Sequence, residues 1–240
     1  MRSKRVSILP LLLALASTQA PLPVQAQAPS NGEAAGRSKQ SNPGQTSAQA
    51  PLIHSATAAV KLMQADPKLR ALMAQAKGIF IVPEYTQGGL VLGGRGGQGL
   101  LMAQKDRMWV GPVMYTYGGV TVGAQIGGES GEVAMLLMTD KAIDSFMKKN
   151  KFSLSAGAGL TVASYDANAE KQAGRGDVVV WMHTGGAYAN LSVGVNDVSF
   201  DPEANRSLYK QDVNPGDVLG GKVSTPLAMP LQKQLAASQQ

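Results

Sequence analysis

The sequence predicts an α+β domain. N-terminal helices pack on a strongly curved, mostly antiparallel, barrel-like sheet of about eight strands, with one short helix inserted. Three observations predict it. Ala76 to Met138 is a string of short apolar runs broken by glycine, among them Gly88-Gly89, Gly93-Gly94-Arg95-Gly96-Gly97-Gln98-Gly99, Gly118-Gly119 and Gly127-Gly128. Each interior glycine costs a helix about 1 kcal/mol, so this stretch suits strands that turn and approach closely. Ahead of it, Ile53, Ala56, Val60 and Met63 recur at helical spacing. Behind it, Phe152, Leu154, Ala156, Ala158, Leu160 and Val162 alternate with Ser153, Ser155, Gly157, Gly159 and Thr161, the period of a half-buried strand.

Taken in order, Ile53 to Ala65 forms the first helix. Asp66-Pro67 breaks and restarts it, with Asp66 suited to the N-cap and Pro67 to the first helical position. Leu69, Leu72 and Met73 continue the apolar stripe, and Gly78 ends the helix. Strands follow at Ile79 to Val82, Gly89 to Leu92, Gly99 to Gln104, Met108 to Tyr117, Val120 to Ile126 and Val133 to Met138. Thr139 or Asp140 caps a short helix that ends at Lys148-Lys149-Asn150, where lysines complement the helix dipole. After the alternating strand and a polar loop, Val178 to Met182 and Tyr188 to Val195 form a last pair joined by Thr184-Gly185-Gly186.

The flanks carry different information. Arg2, Lys4 and Arg5 precede an apolar segment, Val6 to Ala16, shorter than the roughly 20 residues of a membrane-spanning helix. Val24-Gln25-Ala26 then fits a cleavage site, so residues 1–26 read as an export signal. The chain has no cysteine, which excludes a lipoprotein anchor, disulfides and thiolate metal sites. The expected destination is the periplasm or the exterior of a bacterium-like cell. Residues 27–50, rich in Ser, Gln, Asn, Gly, Ala and Pro, read as a disordered linker. The domain covers 51–212, and 213–240 reads as an irregular tail with at most a short helix near Leu231 to Ala236.

The formal net charge is +6, but three of the 22 basic residues and none of the 16 acidic ones precede residue 26, leaving 19 − 16 = +3. That is too mild for a nucleic-acid binder and compatible with attraction to anionic lipid. Catalytic chemistry is scarce. Gly94 to Gly99 formally matches GxGxxG but runs into strand-like Leu100-Leu101-Met102, so it reads as a glycine-rich β-turn with no dinucleotide role. Gly128-Glu129-Ser130-Gly131 lacks the spacing of a nucleophile elbow. His54 and His183 stand far apart, with no cysteine to complete a zinc site. Asp166 to Glu170 echoes a calcium loop, but Lys171 stands where that loop needs glycine. No catalytic, metal or cofactor site is expected.

Between about Ser55 and Leu208 the chain resembles the SYLF-domain family, also known from fungal actin-patch proteins. The resemblance rests on Ala76-Lys77-Gly78-Ile79-Phe80-Ile81-Val82-Pro83 after an alanine- and leucine-rich helix, then the glycine segment Gly88 to Gly99. It continues through the apolar run ending in Met138-Thr139-Asp140 and on to Phe146, and through Tyr188-Ala189-Asn190-Leu191-Ser192. It implies a non-enzymatic domain that binds acidic phospholipid, with the N-terminal helix implicated.

The residues themselves offer a surface for that role. Lys61, Lys68, Arg70 and Lys77 lie on and just after an amphipathic helix and are placed to meet anionic head groups, while Leu69, Leu72 and Met73 either insert or pack on the sheet. The expected partner is an anionic phospholipid membrane surface. The alternative is a soluble envelope scaffold that binds a protein through a sheet edge or the glycine-rich loops.

Overall fold

A computed structural model describes residues 48–89, 92–122, 128–147, 151–154, 159–165, 176–184 and 198–239. All belong to one compact unit, Gly44–Gln240. The expected export signal, the linker up to residue 47 and the strand Tyr188 to Val195 lie outside the described residues.

Two helices open the unit. Helix α1 spans Ala50–Gln64 and buries Leu52, Ile53, Ala56, Ala59, Val60 and Met63 on one side. Helix α2 spans Pro67–Gln75 and buries Leu69, Leu72 and Met73. Asp66 caps α2 as its position before Pro67 predicts: its Oδ1 accepts from the backbone N–H of Lys68 at 2.8 Å and of Leu69 at 3.2 Å.

The sheet contains β1 (Gly78–Gly89), β2 (Leu92–Lys105), β3 (Met108–Val122), β4 (Gly128–Leu137), β5 (Val162–Ser164), β6 (Val178–Thr184) and β7 (Val198–Phe200). Their order is β5-β6-β4-β1-β2-β3-β7. Every pairing is antiparallel except β5 with β6. The order has two ends, so the seven described strands form an open sheet, which corrects the expected barrel-like closure. Helix α3 (Asp140–Phe146) starts at Thr139, whose hydroxyl accepts from Ala142 N–H.

The described glycines of the Ala76 to Met138 stretch lie within long strands, and GxGxxG itself is inside β2 and forms no turn. At Gly97 a Cβ would meet the Glu84 carbonyl at 2.6 Å, and at Gly99 it would strike the ring of Phe80. Bare backbone at Gly97 lets β1 come close, and at Gly99 it makes room for Phe80 and the aromatic cluster around it. Phe146 packs 5.1 Å from Phe80, 5.2 Å from Tyr115 and 5.0 Å from Phe152. Tyr115 donates its hydroxyl to the Phe146 carbonyl at 2.6 Å, and burial pushes its phenol pKa up. Gly78 also differs from expectation. Helix α2 has ended by Gln75, and Gly78 opens β1 without a positive φ. The site is tight: a Cβ would sit 2.5 Å from Ile143 Cδ1, the movable end of that side chain, and 3.0 Å from the Met102 carbonyl oxygen.

Of the alternating segment, residues 155–158 lie outside the described residues. Phe152 makes a single bridge to Val198, Leu154 and Leu160 are buried, and among the described residues of the segment Val162–Ser164 joins the sheet.

The C-terminal segment has the expected short helix near Leu231 to Ala236 and otherwise corrects the expected irregular tail at 213–240. It holds α4 (Pro202–Tyr209), α5 (Pro215–Leu219), a 3-10 turn (Pro226–Ala228), α6 (Met229–Ala236) and a second 3-10 turn (Ala237–Gln239). Leu208, Val218, Leu219, Leu231 and Leu235 are buried in the common core. Asn205, fully buried, places its amide against β3: Met114 N–H donates to its Oδ1 at 3.0 Å and its Nδ2 donates to the Met114 carbonyl at 2.8 Å. A side chain thus supplies the pairing a neighbouring strand would make. Tyr209 donates to the Pro112 carbonyl at 2.9 Å.

Candidate functional site

Burial settles the apolar half of the expected site. Leu69 is 0%, Leu72 6% and Met73 1% exposed, so all three belong to the common core and are not free to insert in lipid. The physical reason is area: a leucine side chain gains about 1.5–3 kcal/mol by leaving water, and the core offers that burial within the fold.

The basic half divides. Lys61, on the solvent side of α1, and Lys68, in the first turn of α2, are exposed. Arg70 is exposed and donates from Nη2 to the Ala237 carbonyl at 3.0 Å, where a cation complements the end of the C-terminal helix. Lys77 leaves the group. Its Nζ pairs with Asp140 Oδ2 at 2.5 Å, at the start of α3.

What unites the helical layer is the absence of acid. Helices α1, α2 and α6 and the two 3-10 turns contain no Asp or Glu. Across residues 48–77 the charges are Lys61, Lys68, Arg70 and Lys77 against Asp66, 4 − 1 = +3. Asp66 is half-buried. Its Oδ1 caps α2, and its Oδ2 accepts from the Tyr165 phenol at 2.6 Å. The Tyr165 hydrogen bond, aided by the Leu69 and Lys68 N–H groups, holds its carboxyl below the usual range. Glu84 touches the flank of α1 by accepting from the Ser55 hydroxyl at 3.1 Å.

The C-terminal helix joins this layer through amides. Gln64 Nε2 donates to the Gln234 carbonyl at 2.7 Å and meets Ser238 Oγ at 2.5 Å, and Gln234 Nε2 donates back to Gln64 Oε1. Sequence reasoning assigned no role to this segment. A usable signal was present in Thr225-Pro226, which caps the 3-10 turn leading into α6.

The remaining chemistry is dispersed. His54 is exposed on α1. His183 Nδ1 lies 2.9 Å from Glu132 Oε2, and its ring stacks 6.0 Å from Trp181. Among the described residues no three Asp, Glu, His or Cys side chains gather as a metal site. No helix among them is long and apolar enough to cross a membrane. The acidic stretch Asp166 to Glu170 lies outside the described residues.

Residues 118–238 match the family Ysc84, described as Las17-binding protein actin regulator. The match runs through α4, α5 and α6, well past Leu208, where the expected resemblance stopped. An SH3 domain-containing protein of Schizosaccharomyces pombe is 31% identical over 166 residues, which cover 66% of this chain and 38% of that protein. The SH3 domain-containing YSC84-like protein 1 of Homo sapiens is 28% identical over 159 residues, 65% of this chain and 46% of its own length. The bovine protein of the same name gives the same identity and coverage. The chain spans less than half the length of these relatives.

Proposed function

The chain belongs to the Ysc84 family, whose domain is the SYLF domain, and on that premise we propose that it is a non-catalytic domain docking on anionic phospholipid at a membrane surface. The observation that carries the reading is the helical pair α1 and α2, on which Lys61, Lys68 and Arg70 stand exposed without a single carboxylate in either helix. A surface of one sign attracts the opposite sign over about 10 Å at 0.1 M salt, and each basic residue near an anionic leaflet contributes about 1 kcal/mol. Because Leu69, Leu72 and Met73 are committed to the core, docking is peripheral and reversible, with no deep insertion by these side chains. Lys77, paired with Asp140, plays a lesser part. The reading includes export, with the mature chain starting near Gln27 and acting in the periplasm or outside the cell. Mass spectrometry of the exported form checks that start, and an intact Met1 contradicts it.

Co-sedimentation with vesicles tests the docking. The protein should pellet with vesicles containing an anionic phospholipid, remain in solution with purely zwitterionic ones, and be released by raised salt. Replacing Lys61, Lys68 and Arg70 together by Gln should abolish pelleting in a variant that still melts cooperatively. Equal pelleting with neutral vesicles, or undiminished pelleting of the folded triple variant, overturns the reading.

A second reading, a domain that docks on a protein, draws support from the family description, which names a protein partner for its members. The tip of the β2–β3 hairpin, where Met108 is 66% exposed, is the surface that reading would use.

A further inference from the structure

We propose that the C-terminal helix α6 forms the other half of the membrane-docking surface, with Lys233 contacting anionic head groups and Met229 contacting the acyl boundary. This rests on the reading of the helical face as a phospholipid surface and extends it to a segment far away in the chain.

The reciprocal Gln64–Gln234 amide bonds and the Gln64–Ser238 contact hold α6 beside α1. Both helices pack on the same sheet, and each buries only its inward side: Ala56, Val60 and Met63 on α1, Leu231 and Leu235 on α6. Lys61 lies one turn before Gln64 and so shares its side of α1. Lys233 lies next to Gln234, opposite Leu231 and Leu235 on the helical wheel. Both lysines are exposed, so they stand on the solvent side of one seam.

Arg70 extends the same surface. Its bond to the Ala237 carbonyl ties α2 to the end of α6. Along the seam the charges are Lys61, Arg70 and Lys233, with no carboxylate on any of the three helices.

Two exposed apolar side chains accompany them. Met229, at the start of α6, is 52% exposed, and Leu62 on α1 is 40% exposed. Such side chains beside lysines match the arrangement of helices that lie in the interface plane, apolar tips toward the acyl boundary and ammonium groups at the phosphates. Methionine suits this role because its unbranched, polarizable side chain adapts to an irregular surface. Charge complementarity selects the occupant: an acidic bilayer, in preference to a neutral one.

The test is vesicle binding by single variants of the whole protein, each first shown to melt like the parent. Lys233→Gln should bind vesicles of phosphatidylserine and phosphatidylcholine about fivefold more weakly, the change that about 1 kcal/mol per surface charge carries. Met229→Ser should weaken binding to the same vesicles by a smaller factor. Lys210→Gln, a control at the end of α4, should bind as the parent does. If Lys61→Gln weakens binding while Lys233→Gln and Met229→Ser leave it unchanged, the composite surface is wrong and the phospholipid reading stands. Loss of the same size in Lys210→Gln means that net charge acts without a defined surface, which also overturns the proposal. If the parent ignores anionic vesicles, the phospholipid reading itself fails and takes this proposal with it.

Discussion

The N-terminal helical pair and the C-terminal helical segment cover the same sheet and use the same starting device, yet only the first is written as a stripe. Asp66-Pro67, Asp201-Pro202, Asn214-Pro215 and Thr225-Pro226 each place an oxygen-bearing side chain before a proline, and each caps a helical element. Helices α1 and α2 together are long enough for an apolar repeat to show. Helices α4, α5 and α6 have 8, 5 and 8 residues. A repeat is visible only over windows of about 11–18 residues, so these escape detection by period. Short helices are declared by their caps, and their burial comes from tertiary packing.

If the two segments are equally part of the core, truncating each should cost alike. Leu69→Ala on α2 and Leu235→Ala on α6 both remove a side chain with 0% exposure. Each should lower stability by about 2–4 kcal/mol in urea unfolding. A neutral Leu235→Ala would return 213–240 to the status of a tail.

The next effect is a polar one confined to the C-terminal segment. Asn205→Ala leaves the buried Met114 N–H without its acceptor, a loss of about 1–3 kcal/mol. Asn205→Asp should not rescue it, because a carboxylate cannot donate to the Met114 carbonyl. A melt unchanged in Asn205→Ala would mean that β3 is not held this way.

Caps give the smallest difference. Asp66→Ala and Asp201→Ala should each cost about 1 kcal/mol, with Asp66 the larger because it also loses Tyr165. Asp66 also leaves a pH signature. Its folded pKa is lowered, chiefly by the Tyr165 bond, so its stabilisation is complete above the unfolded value near 3.8 and fades as pH falls through the folded value. Asp66→Ala should therefore flatten the loss of stability below about pH 4. An acid limb identical to the parent's contradicts the assignment.

Sequence reasoning reached α1, α2, the Asp66 cap, the Thr139 cap and the centres of β1 to β4, because burial on one side or both leaves a periodic trace. It missed the continuity of β2 through its glycines, since a residue chosen to let Phe80 and the Glu84 carbonyl come close looks like a turn residue in isolation. It missed strand order, which depends on partners distant in the chain. For the site, the basic residues were legible but their company was not. That Lys77 turns to Asp140, and that Arg70 reaches Ala237, follows from packing between segments 63 and 167 residues apart.

The central claim is that one helical face, built from both ends of the domain, meets an anionic membrane. The chain has no cysteine, so a single introduced thiol can be labelled without background. Ala58→Cys on α1, Met229→Cys on α6 and Met108→Cys at the β2–β3 tip, each carrying an environment-sensitive fluorophore, report which surface approaches lipid. On adding phosphatidylserine vesicles, the labels at 58 and 229 should brighten and shift to the blue while the label at 108 stays as in buffer. A shift at 108 with none at 58 and 229 would contradict the account and assign the membrane contact to the hairpin.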